Sequence, residues 1–179
     1  MVPYRSYEGR RKRRRVARTV LLVGEGDSEE YFLRHLKTLY VQRGCGVVVT
    51  IKNARGKGAA HVVDVAIRMS RNADYDIHAA LLDTDTDWNE KSQSAARKGK
   101  VHVLPSEPCL EALLLAIHGL PVQGRPTARL KHDFAARFGS TASQAEVFPH
   151  HFPADLLENA RTRLPVLRQR LALLKIGGI

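Results

Sequence analysis

Residues 20–29 read Val-Leu-Leu-Val-Gly-Glu-Gly-Asp-Ser-Glu. Four aliphatic residues closed at once by Gly24 predict a short buried strand. Asp27 or Ser28 is placed to cap a following helix, and Glu30 stands three residues after Asp27 in capping-box spacing. Phe32, Leu33, Leu36, Leu39 and Tyr40 then recur at helical spacing. A strand that turns through Gly-Glu-Gly into an amphipathic helix opens a βα unit, and the chain goes on to repeat that alternation.

Working outward, residues 47–51 predict a second strand and residues 53–58 a polar turn. Residues 61–70 carry Val62, Val63, Ala66, Ile67 and Met69 on a second helix. Residues 77–82 form a third apolar run, ahead of a polar helix over 89–98 and a fourth strand at 101–104. An apolar helix follows at 109–118. Strand runs that are apolar throughout belong to a sheet covered on both faces. The alternation therefore predicts an α/β fold with a mostly parallel four-stranded sheet flanked by helices. Beyond Gly119 the pattern turns helical, at about 127–138 and 154–174, with Pro165 expected to divide the second stretch. The expected organisation is a basic arm over 1–18, an α/β core over 19–119 and a helical extension over 120–179.

The 179 residues carry a net charge of +11, distributed as +7 over residues 1–18, −1 over 19–119 and +5 over 120–179. Two basic flanks around a near-neutral centre are the electrostatic footprint of a phosphate-rich partner, most simply DNA or RNA. Arg10, Arg11, Lys12, Arg13, Arg14 and Arg15 form an unbroken basic run suited to phosphate contacts. Cys45 and Cys109 have no disulfide-framework or zinc-site spacing, which fits a reducing, cytoplasmic setting. No apolar run approaches the roughly 18 residues of a membrane span, and no secretory signal is expected.

In open α/β sheets, ligand sites form beyond the carboxyl ends of the strands. Glu25 follows the first strand there, while Asp83, Asp85 and Asp87 follow the third. Carboxylates packed together repel unless a cation neutralises them, and oxygen ligands suit Mg²⁺ or Mn²⁺. An EF-hand reading fails, because Trp88 occupies the glycine position and Ser94 the bidentate glutamate position. A phosphatase of the haloacid-dehalogenase type would carry its Asp-x-Asp after the first core strand rather than the third. Arg55-Gly-Lys-Gly58 does not match a P-loop, yet two glycines and two cations before a helix make Arg55 and Lys57 candidate phosphate contacts. His150-His151 reads as a turn feature, and Cys109 as a packed small hydrophobe rather than a nucleophile.

Two segments together, VLLVGEGDSE at 20–29 and AALLDTDTD at 79–87, resemble the Toprim domain of topoisomerases, primases and related nucleases. The EGDSEEYF stretch at 25–32 and the SEPCLEALLLAIH segment at 106–118 are similar to blocks of the RloB-like family, small Toprim proteins of bacterial defence loci. The resemblance spans about 60% of the chain, from Arg10 to Gly119. It departs from the family pattern at Glu107, Leu110, Ala112 and Leu113, and keeps Glu111.

The resemblance implies a Toprim, Rossmann-like core. It implies Glu25 as general acid/base or metal ligand, Asp83 and Asp85 as Mg²⁺ ligands, and Asp87 and Glu111 as further ligands. The expected function is Mg²⁺-dependent cleavage of DNA or RNA in anti-phage defence. The alternative is a non-catalytic nucleic-acid-binding subunit, for instance for tRNA, on the same scaffold. RloB-like proteins commonly occur beside an AAA-type ATPase, so such a partner is expected under either reading.

Overall fold

The computed structural model describes residues 18–85 and 87–174. The basic run from Arg10 to Arg15 lies outside them. Strands β1 (Arg18–Gly24), β2 (Val47–Asn53), β3 (Ile77–Asp83) and β4 (His102–Ser106) alternate with helices α1 (Asp27–Tyr40), α2 (Gly58–Asn72) and α3 (Glu90–Lys98). The chain continues through α4 (Leu110–Ile117), α5 (Thr127–Phe138), α6 (Val147–His151), α7 (Ala154–Arg163) and α8 (Pro165–Leu174). The fold is α/β and Rossmann-like, with an all-parallel sheet of order β2-β1-β3-β4 and a helical C-terminal part.

Both sheet faces are covered, as the apolar strands require. Leu21, Val23, Ala80 and Leu82 pack against Val62, Val63 and Ala66 of α2 and Ala96 of α3. On the other face, Val20, Leu22, Ala79, Leu81 and Leu104 share one core with Phe32 and Leu36 of α1, and Leu110 and Leu114 of α4. That core runs on without a break into Phe134, Phe148, Phe152, Leu157, Leu167 and Leu171. The helical part is thus welded to the sheet by apolar burial, which contributes roughly 25 cal/mol per Å² of apolar surface.

Polar bonds fix the junction. His35 and His118 donate their Nε2 protons to the carbonyls of Phe152 and His151, at 2.7 and 2.9 Å. Arg163 donates to the carbonyls of Ala116 and Ile117, satisfying acceptors left open at the end of α4. Burial lowers the pKa of both histidines.

Pro165 divides the last helical stretch into α7 and α8, as its missing N–H dictates. Two local readings change. His150 and His151 close the short helix α6 rather than sitting in a turn. The cap of α1 lies one residue earlier than expected: Gly26 is the N-cap, and its N–H donates to Glu29 Oε2 at 2.9 Å. Glu29 therefore takes the place assigned to Glu30, which pairs with Arg34 instead. Among the described residues, no helix is long and apolar enough to cross a membrane.

Candidate functional site

β1 sends the chain to α1 on one face of the sheet, whereas β3 sends it to α3 on the other. The connections beyond β1 and β3 therefore diverge, which makes the carboxyl ends of these two strands the topological switch point of the sheet. Glu25 and Asp83 stand at those two ends. The Glu25 N–H donates to Leu81 O at 3.1 Å, and the Asp83 N–H donates to Glu25 Oε2 at 3.2 Å. Gly24 permits the tight turn, since a Cβ there would lie 2.8 Å from Glu29 Cβ.

Asp83 lies on the sheet face covered by α1 and α4, two residues beyond Leu81. Its Oδ1 is buried and accepts no hydrogen bond among the described residues. Burial, reinforced by the carboxylates of Glu29, Glu111, Glu25 and Asp85, pushes its pKa up to about 8. Glu25 and Glu29 are raised as well, each chiefly by burial; Asp87 and Asp85 add to the first, Glu111 and Glu25 to the second. Glu29 and Glu111 are both buried, in the first turns of α1 and α4, where the helix dipoles favour negative charge.

The other residues read from the sequence fall in different places. Asp85 is exposed and accepts from Thr127 Oγ1 at 2.7 Å, tying the start of α5 to the Asp-x-Asp loop. The Asp87 carboxylate accepts from the N–H groups of Ala59 and Ala60. A Cβ on Gly58 would collide with it at 2.6 Å. Asp87 thus fills the anion position at the start of α2, the terminus that the Arg55–Gly58 turn was expected to offer to a phosphate. Arg55 and Lys57 are exposed, both with backbone in the left-handed region (φ 62° and 76°). Arg55 lines a cleft of about 780 Å³ with Gly26, Asp27, Arg34, Lys52 and Asn53. Cys109 is fully buried, and burial pushes its thiol up to about 12, so it is a packed residue rather than a thiolate.

Three residues that the sequence reading passed over belong to this site. Glu29 is one; it lies within the EGDSEEYF stretch, four residues after Glu25, with no role assigned to it there. Lys131, on α5, is the second. Burial lowers the pKa of its ammonium, but Glu111, Asp83, Cys109 and Asp85 outweigh that and raise it. Lys131 and Glu111 also line a cavity of about 260 Å³ with Ser28, Thr141 and Ser143. Arg170, on α8, is the third. It is buried, and its Nη2 donates to Ser106 Oγ at 2.9 Å and to Pro105 O at 3.1 Å.

Among the described residues, no three carboxylate, imidazole or thiol groups close into a ready-made metal-ligand set. The donor chemistry nevertheless fits a divalent cation. A buried carboxylate oxygen lacks a partner, and four further carboxylates raise the cost of ionising it. A hard cation with oxygen ligands would relieve both penalties at once. Compared with known proteins, the chain matches no family model, no curated protein and no solved structure.

Proposed function

We propose that the protein is a Mg²⁺-dependent nuclease of the Toprim type, similar to the RloB-like family, that cleaves DNA or RNA phosphodiesters in bacterial defence. The observation that carries this reading is Asp83, a buried carboxylate with an unpartnered oxygen among Glu25, Glu29, Asp85 and Glu111 at the switch point of the sheet. Glu25, Asp83 and Asp85 would hold Mg²⁺ or Mn²⁺, with Glu29 and Glu111 behind them. When bound, the ion polarises a phosphoryl oxygen and lowers the pKa of bound water.

The chain's own groups do the rest. The Asp83 N–H orients the Glu25 carboxyl through Oε2, which leaves Oε1 to exchange a proton with the attacking water or the leaving oxygen. The upward shift of Glu25 brings it closer to working pH, as acid–base catalysis favours. Lys131 meets the non-bridging phosphate oxygens from the α5 side. Arg55, Lys57 and the basic run at 10–15 hold the strand through its backbone, giving affinity without sequence readout. An AAA-type ATPase partner suits this reading, because the sequence contains no P-loop.

The test is incubation of the protein with single- and double-stranded DNA and RNA in Mg²⁺, Mn²⁺ or EDTA. Metal-dependent cleavage that disappears in the Glu25→Ala/Asp83→Ala double variant is the expected result. Cleavage that survives both changes overturns the assignment of the site. Tight, salt-sensitive binding without turnover in any metal replaces it with the non-catalytic binding subunit.

A further inference from the structure

We infer that Arg170 is a positioning residue of the carboxylate centre, an internal counter-charge that steadies Asp83 until a divalent cation takes over that role. The inference rests on the metal-site reading above and assigns α8 a part in it.

Ser106 is the register partner of Asp83 across β3 and β4, so the two side chains leave the sheet on the same face. Arg170 Nη2 bonds Ser106 Oγ as well as the carbonyls of Leu104 and Pro105, which places the guanidinium beside Asp83 at the end of the neighbouring strand. The side chain is 1% exposed. Its Nε and Nη1 have no hydrogen-bond partner among the described residues, and neither does Asp83 Oδ1. A buried guanidinium and a carboxyl with a buried oxygen, each incompletely bonded among the described residues, thus lie at the same strand ends.

A strut for β4 does not need a charge. The three acceptors use one nitrogen only, and a neutral amide could serve them. Burying a guanidinium costs far more than bonds to neutral acceptors return, unless negative charge lies close by. Asp83 and Glu29 supply it once they ionise: burial lowers the pKa of Arg170 to about 9, and these two carboxylates oppose that fall. Arg170 therefore offsets part of the repulsion within the cluster in the absence of metal, and it competes electrostatically with an incoming cation.

The experiment is titration of the full chain with Mn²⁺ alone, read by electron paramagnetic resonance of free Mn²⁺, for wild type, Arg170→Met and Arg170→Lys. Removing the charge should tighten Mn²⁺ binding roughly tenfold, equivalent to about 1.4 kcal/mol. Lysine keeps the charge without the fork and should restore the wild-type affinity. Unchanged or weaker binding by Arg170→Met overturns the inference and leaves a structural strut. No Mn²⁺ binding by the wild type overturns the metal reading as well, so the two failures are distinguishable. If Arg170→Met does not fold, the Asp83→Asn background decides. With the carboxylate gone the counter-charge is dispensable, so the double variant should fold; a double variant that stays unfolded overturns the inference.

Discussion

The backbone N–H of Asp83 donates to Glu25 Oε2 at 3.2 Å, joining the ends of β3 and β1 across 58 positions of sequence. The bond makes the two acidic residues one unit: Glu25 is oriented by the strand that carries Asp83. Glu25→Gln keeps an acceptor at that place and so preserves the fold, but it removes the group proposed to exchange a proton. Its melting temperature should stay within about 2 °C of wild type, while metal-dependent cleavage falls at least about 100-fold, the usual worth of a positioned acid or base. Calorimetry and a cleavage time course on one preparation check both halves.

The contribution of Asp83 to metal-free stability should decline as pH rises from about 4 to 8. Asp83 holds its proton up to about pH 8 in the folded chain, against 3.8 for the ordinary carboxyl. In that window the folded state binds more protons than the unfolded one, so every step upward removes stability. Asp83→Asn should flatten this dependence and raise the melting temperature at pH 8 by several degrees, at about 2–4 °C per kcal/mol for a chain of this size. Melting curves of both proteins in EDTA from pH 4 to 8 give the comparison, and parallel curves would contradict it.

Lys131 faces the carboxylates from α5. Lys131→Met should lower cleavage by roughly 10²-fold, comparable to losing one preorganised donor to a developing charge. Lys131→Arg should recover part of that loss. Mn²⁺ affinity should not fall in either variant, because the lysine serves the phosphate. Weakened metal binding in Lys131→Met would place it among the groups that shape the cation site instead.

Gly24 leaves no space for a side chain. Gly24→Ala would set a methyl group 2.8 Å from Glu29 Cβ and 3.1 Å from the Glu30 nitrogen, neither of which is the flexible end of a side chain. Overpacking of this kind costs about 1–3 kcal/mol, and here the strain falls on the turn that carries Glu25. A lower urea midpoint with an unchanged slope is the expected signature.

Two histidines work in the opposite sense to Asp83. The pKa of His118 and of His35 lies below the ordinary 6.5 in the folded chain, chiefly through burial. The unfolded chain therefore takes up protons first as pH falls below 6.5, and the stability present above that value is lost. His118→Gln, which retains an N–H for the His151 carbonyl, removes one such contribution, so its melting temperature should gain on that of wild type as pH falls from 7 to 5.

The α/β alternation was legible because each strand is an uninterrupted apolar run and each helix keeps its stripe at 3.6-residue spacing. Glu25 and Asp83 followed from one rule of parallel sheets: side chains at strand ends share an edge. Asp87 shows where pattern reading stops. The spacing Asp83-x-Asp85-x-Asp87 suggests that the third carboxylate adds an outer or second-metal ligand to the first two, yet it faces the amides of Ala59 and Ala60 on a helix whose position only the folded sheet determines. Lys131 and Arg170 were hidden for a similar reason. Each is one cation among many in a basic segment, and periodicity does not say which of them a docked helix carries within electrostatic reach of the carboxylates.

The continuity of the core between the sheet and α5–α8 also sets an order in time. A chain still being synthesised, and emerged only through α4, already carries Glu25, Glu29, Asp83, Asp85 and Glu111. It lacks the lysine that faces them and the arginine beneath Asp83, and the apolar surface that α8 will cover is still exposed. The acidic half of the centre is made first and the basic half last. Under the proposed nuclease reading, nucleic acid near the ribosome would meet the assembled site only after residue 170 has left the ribosome and α8 has docked.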